Sequence, residues 1–178
     1  MLELLAESGA SAADLAPDVV RLLSDEDEGV RTAARATLRT LGNSHAILPA
    51  LDWLRYHPRW ERRLEALRVL AEICAPPEGS AIAVALLADP EFPVREEAAR
   101  YLRAYGFSPE AVTEFRGVVQ HADREIRYAA LAVIRDLGER ADPLSGLLAP
   151  LLEDSDSETA RLAAAILPKL AFPSASAT

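Results

Sequence analysis

Val94-Arg95-Glu96-Glu97-Ala98-Ala99-Arg100-Tyr101-Leu102-Arg103-Ala104-Tyr105-Gly106 is the stretch on which the fold turns. Val94, Ala98, Leu102 and Tyr105 share one side of a 3.6-residue helix, and the glycine after them suits a left-handed helix cap. The same order of residue types recurs along the chain. Copies begin at Val30, Arg62, Val94, Ile126 and Thr159, in steps of 32, 32, 32 and 33 residues. Four residues into each copy stands an alanine: Ala34, Ala66, Ala98, Ala130 and Ala163. Eight in stand Leu38, Leu70, Leu102, Ile134 and Leu167, and eleven in stand Leu41, Ile73, Tyr105, Leu137 and Leu170. A period of this length predicts stacked helical pairs, because a single pair cannot bury its own apolar side.

Each copy is the trailing helix of a pair. Upstream, Leu22, Leu54, Leu86, Val118 and Leu151, with Val19, Leu51, Ala83, Phe115 and Leu148, mark the inner side of the leading helix. Turn-forming residues separate the two helices at 24–29, 57–58, 89–93, 121–123 and 154–157. The pairs are expected at about 11–42, 44–74, 78–106, 109–138 and 142–171, in one domain over 1–173. Leu2, Leu5 and Gly9 suggest a capping half-repeat at 1–9, Pro168 is expected to interrupt the last helix, and 174–178 reads as a disordered tail. Cys74 occupies a cap slot, which gives it a structural role.

Composition narrows the function classes. The 178 residues carry a formal charge of −9 and only 6% aromatics. That balance argues against general affinity for nucleic acid or an anionic membrane. The N-terminus lacks the basic start and long apolar core of a secretory signal, and the longest apolar run, 81–88, is too short to span a bilayer. A single cysteine excludes an internal disulfide framework, so a cytoplasmic setting is expected. Nearly all the basic residues are arginine, with Lys169 the one lysine, as in proteins from GC-rich genomes.

These features resemble the HEAT-repeat family in the short form found in bacterial proteins. Pro17 and Pro49 match its proline in the leading helix, Asp25, Asp89 and Asp154 its turn aspartate, and Arg31, Arg63, Arg95 and Arg127 its arginine at the start of the trailing helix. The resemblance implies a right-handed α-solenoid of about five helical hairpins with an N-terminal half-repeat cap. It also implies an Asp–Arg ladder between neighbouring repeats and a concave side lined by the trailing helices. His57 and His121 stand where the family has the turn aspartate, and Ala160 stands where it has the arginine.

No phosphate-binding, dinucleotide-binding, nucleophile-elbow, zinc-protease or CxxC motif occurs, so neither catalytic residues nor cofactor nor metal is expected. Charge is more informative. The trailing helices hold 13 basic and 5 acidic residues, a net of +8, while the rest of the chain sums to −17. The ladder arginines are expected to be spent on turn carboxylates. Arg39, Arg68, Arg100, Arg103, Arg135 and Arg161, with Tyr128, fall opposite the buried side and are the candidate binding stripe, with Glu96 among them. Arginine there can grip carboxylate or phosphate in bidentate fashion, or can serve as a solvated face. Trp53, Tyr56 and Trp60 form a second candidate patch, of residue types that dominate interfaces, although one tryptophan could fill the gap left by an inserted turn residue.

The expected function is a non-catalytic interaction scaffold, a monomer on its own, holding an acidic or phosphorylated protein segment. Two alternatives come from relatives of the repeat. Some alkylpurine DNA glycosylases have a HEAT-like fold with a cationic groove and a catalytic aspartate, to which Trp53, Tyr56, Trp60 and Asp52 bear a loose likeness, but the net charge opposes phosphate binding. Bilin lyases also use such repeats, and nothing else in the chain points to a tetrapyrrole.

Overall fold

The computed structural model describes residues 12–41, 47–73 and 78–171, so the expected half-repeat, Gly42, Cys74 and the tail lie outside it. Nine α-helices and no strand occur among the described residues. Two compact units divide the chain, Met1–Ala75 and Pro76–Thr178.

In the first unit, α1 (Ala12–Arg21), a short 3-10 turn (Leu22–Ser24) and α2 (Glu28–Leu41) make one hairpin, and α3 (Ile47–Leu54) with α4 (Trp60–Ile73) makes the next. The leading helices α1 and α3 pack together, and so do the trailing helices α2 and α4, giving two layers. The second unit repeats the plan. Its leading elements are α5 (Ser80–Leu86), α7 (Pro109–Val119) and two 3-10 segments (Gly138–Leu147 and Ala149–Glu153), and its trailing helices are α6 (Phe92–Tyr105), α8 (Arg124–Leu137) and α9 (Ser157–Ala171). α5 packs on α7, α6 on α8, and α8 on α9.

The alanine position is the seam of this packing. Ala34, Ala66, Ala98, Ala130 and Ala163 are all at most 1% exposed. A side chain no larger than a methyl lets neighbouring backbones approach closely. Leu38, Leu70, Leu102 and Ile134, one turn on, are wholly buried. At the following position Ile73, Leu137 and Leu170 are buried, but Tyr105 is 37% exposed. The aromatic burial in α6 falls instead to Tyr101, whose ring lies 4.8 Å from that of Tyr105.

Leading-helix positions behave similarly, with Val19, Leu51, Ala83, Phe115 and Leu148 all buried. At the end of α1 Leu23 is buried in place of Leu22, because the chain tightens there to a 3-10 turn and each residue advances further around the axis. The fifth leading element is 3-10 rather than α. Pro143 and Pro150 each remove a donor from the helical ladder, and the buried residues Ala141, Leu144 and Leu147 recur every three residues, the 3-10 period. Pro168 does not interrupt α9, which continues to Ala171. Its ring lies on the exposed side.

Helix ends follow local chemistry. Gly106 (φ 80°) and Gly138 (φ 56°) close α6 and α8, at backbone angles that other residues rarely adopt. Ser108 Oγ accepts the Ala111 N–H at 3.2 Å to start α7, and Asp123 Oδ1 accepts the Glu125 N–H at 2.9 Å to start α8.

Candidate protein-interaction surface

The turns that join each hairpin share one construction. Asp25 Oδ1 accepts the N–H of Asp27 at 2.8 Å, Asp89 Oδ1 that of Glu91 at 2.9 Å, and Asp154 Oδ1 that of Asp156 at 2.8 Å. His57 Nδ1 accepts the N–H of Arg59 at 3.1 Å, and His121 Nδ1 that of Asp123 at 3.0 Å. The histidines therefore do the aspartates' work. What the turn requires is an acceptor lone pair two residues before an N–H, and an imidazole with its proton on Nε2 supplies one. Replacing His121 by aspartate is expected to leave stability nearly unchanged, whereas alanine should cost about 0.5–1.5 kcal/mol, the worth of one such bond. Equal losses for the two variants in urea unfolding would remove this role, and the nitrogen shifts of the imidazole report its tautomer directly.

The ladder arginines close the same turns from the other side. Nη1 of Arg31 donates to the carbonyls of Asp25 and Glu26, both at 2.8 Å, and that of Arg95 to Asp89 and Pro90, also both at 2.8 Å. Arg63 holds the carbonyls of His57 (2.8 Å) and Pro58 (3.2 Å), and Arg127 those of His121 (2.8 Å) and Ala122 (3.0 Å). Their shared ligands are backbone carbonyls, where turn carboxylates were expected. Arg127 in addition reaches the next turn, its Nε 3.3 Å from Asp154 Oδ2, a ladder rung within the second unit. The turns that follow Arg31 and Arg95 carry histidine, which offers no carboxylate for such a rung.

On the trailing layer of the second unit, α6 and α8 enclose a groove of about 320 Å³. Ala99, Ala129 and Ala132 form its floor, Phe92 and Tyr128 its aromatic walls, and Arg95, Glu96, Arg103 and Glu125 its rim. Phe92 is 63% exposed. Sequence reading placed it in a turn and missed it; the signal was an aromatic residue before Pro93, where a helix begins. Tyr128 is fixed by a 2.7 Å bond from its hydroxyl to Asp156, which also accepts the N–H and hydroxyl of Thr159. The Tyr128 hydroxyl, and after it the two Thr159 donors, hold the Asp156 carboxyl down at about 2. The same bond raises the tyrosine.

The stripe arginines are largely neutralised within the chain. Arg39 pairs with Glu72 at 2.6 Å across α2 and α4, and Arg103 with Asp136 at 3.1 Å across α6 and α8. Arg135 also holds Asp136, at 2.9 Å, while Arg100 and Arg161 pair with Glu97 and Glu158 one turn back on their own helices. Burial tends to raise the Asp136 carboxyl, but Arg135 and Arg103 outweigh it and the group lies below its ordinary range. Arg68 alone of the six is exposed with no hydrogen-bond or ion-pair partner among the described residues.

Arg68 lines a groove of about 310 Å³ between α2 and α4 of the first unit. Arg31, Arg35, Arg59 and Arg62 line it as well. Arg62 fills a position that is apolar or threonine in the other copies and is only 7% exposed, a basic residue in a core slot that sequence reading passed over. The aromatic patch lies elsewhere, at the end of α3. Trp53 is 53% exposed and so fills no gap; it meets His57 edge to face and borders a shallow hollow with Pro17 and Pro49. Tyr56 is 71% exposed with the Arg55 guanidinium 4.5 Å from its ring centre, and Trp60 is half-buried at the start of α4.

No helix among the described residues is long and apolar enough to cross a membrane. No curated protein matches the chain significantly. Among solved structures it is similar to an engineered protein (22% identity, TM-score 0.46, covering 88% of this chain and 79% of that one). It is similar also to a designed armadillo repeat protein in complex with the peptide (KR)4 (19%, 0.44, 94% and 84%) and to the archaeal HEAT-like repeats protein of Thermococcus onnurineus NA1 (18%, 0.41, 94% and 77%). The family of HEAT repeats matches residues 47–135, half of the sequence, and that span takes in turns of both kinds, aspartate and histidine, each clasped by its arginine. By that match the chain belongs to the HEAT-repeat family.

Proposed function

We propose that the chain is a non-catalytic, cytoplasmic protein-interaction scaffold whose trailing-helix layer holds an extended acidic segment of a partner protein. The observation that carries this reading is the α6–α8 groove, where exposed Phe92 and anchored Tyr128 stand over an alanine floor with Arg95 and Arg103 at the rim. Magnitudes assign the roles. Each stripe arginine of the second unit already has a carboxylate, so a partner's acidic group only exchanges one exposed ion pair for another, worth about 0–1 kcal/mol. An apolar side chain buried in the groove contributes about 1.5–3 kcal/mol. The apolar anchor therefore supplies affinity, while Arg100, Arg103, Arg135 and Arg161 select acidic over basic neighbours.

A fluorescent oligoglutamate peptide with one central leucine, and its oligolysine counterpart, test this by anisotropy. The acidic peptide should bind, more weakly as salt rises. Phe92→Ala should weaken it about tenfold, and the double reversal Arg100→Glu, Arg103→Glu should abolish capture without lowering the thermal midpoint appreciably. Equal binding of the lysine peptide, or capture unchanged by the double reversal, rejects the reading.

A further inference from the structure

The α2–α4 groove of the first unit differs in kind from the groove of the second, since every side chain that lines it is charged. Five are arginines, and the carboxylates facing them are three, Glu28, Glu61 and Glu65. Arg35 bridges two of these, at 3.1 Å to Glu28 and 3.1 Å to Glu65. Arg31 pairs with Glu28, which lies below its ordinary range chiefly through that contact. Arg59 turns away to hold Glu26 outside the groove, at 2.6 and 2.9 Å. With Glu26, which takes Arg59 and also acts on Arg62 and Arg31, the cluster holds five guanidinium groups and four carboxylates, a surplus of one positive charge on a chain whose net charge is −9.

The surplus has addresses. Arg62 is 7% exposed, makes no ion pair among the described residues and has one protein ligand, the Asp25 carbonyl at 3.0 Å, with its buried Nε unpartnered. A buried cation without a counter-ion is costly, and its neighbourhood favours an anion. Arg68, at the mouth, is exposed and equally without a partner. Its fork is free to present two N–H groups to a ligand oxygen pair.

We infer that this groove is a site for a phosphoryl dianion, carried on a phosphorylated side chain of a partner protein, with Arg68 as its direct ligand and Arg62 as the charge behind it. A phosphomonoester carries about −1.5 to −2 charges at neutral pH and three acceptor oxygens, enough to meet both guanidinium groups that lack an ion pair among the described residues, Arg62 and Arg68, whereas a carboxylate brings one charge and two oxygens. The inference rests on the chain being a partner-binding scaffold, but it uses a different groove and is tested apart from the α6–α8 peptide.

The probes are a short phosphoserine peptide, the same peptide with serine, and inorganic phosphate, each titrated into the full chain by calorimetry at constant ionic strength. The phosphopeptide should bind at least about tenfold more tightly than the serine peptide, and Arg68→Ala should remove about that factor, the worth of a charge-assisted bidentate contact. Because Arg68 is exposed and unpartnered, this variant should keep the thermal midpoint of the parent, and Arg68→Lys should recover only part of the affinity. Inorganic phosphate binding as tightly as the peptide supports the site and assigns its occupant to the free ion. Indifference to phosphorylation, or a phosphopeptide affinity unmoved by Arg68→Ala, overturns the inference while leaving the α6–α8 reading standing.

Discussion

Replacing Phe115 by alanine is expected to destabilise the second unit by about 3–5 kcal/mol, as urea unfolding would record in a lowered midpoint at unchanged slope. The ring is wholly buried in α7 and meets Phe107 at a tilted 66°, with ring centres 4.8 Å apart. The equivalent slot of the neighbouring leading helix α5 holds Ala83, also wholly buried, so one repeat supplies the volume that its neighbour omits. With so small a residue at that slot on the adjoining helix, collapse around the hole is limited, and the cost belongs to the upper part of the range for such deletions. A loss below about 1.5 kcal/mol would mean that the site collapses freely and that Phe115 is not the main volume of this layer.

The opposite change at the seam should be nearly as damaging. Ala98→Leu inserts three carbons where α6 packs on α5 and α8 and where the alanine has no exposed surface. Overpacking of that kind costs about 1–3 kcal/mol, and more where backbones rather than side chains must move apart. Ala104→Leu, on the exposed side of the same helix, is the matched control and should stay within about 0.5 kcal/mol of the parent. Equal losses at the two positions, measured by the same unfolding curves, would show that the seam does not set the spacing of the trailing helices.

The fold was legible because its two strongest signals are physical necessities of close helix packing. Alanine every 32 or 33 residues marks where trailing helices touch, and glycine at 106 and 138 marks where they must stop. Misreadings arose where local chemistry competes with the period. Tyr105 sits in an apolar slot, yet Tyr101, its hydroxyl included, takes the burial and packs its ring 4.8 Å from that of Tyr105. The proline-rich leading segment of the fifth hairpin kept its inward leucines but lost the α period. Pro168 falls in the last turn of α9, where few ladder bonds remain for it to break.

The candidate surface was harder to read. Net charge along the trailing helices pointed to that layer, but charge alone does not say which guanidinium groups are occupied. Glu72, Glu97, Asp136 and Glu158 occupy five of the six stripe arginines, and those pairings depend on three-dimensional neighbours or on rotamers within a turn. Arg62 was visible as an anomaly, a cation in a slot that is aliphatic in three of the other four copies. Phe92 was hidden because the residue before a proline reads as loop whether or not a helix begins there.

The imidazole-for-carboxylate exchange at hairpin corners 57 and 121 uncouples shape from electrostatic colour at each of those corners. Each corner aspartate brings an anion together with its acceptor, and each histidine brings the acceptor without the anion. A designer can therefore repaint a single corner from negative to neutral while its backbone keeps its path. Partners that sense a corner by field alone would tell its two versions apart, though their folded frames coincide.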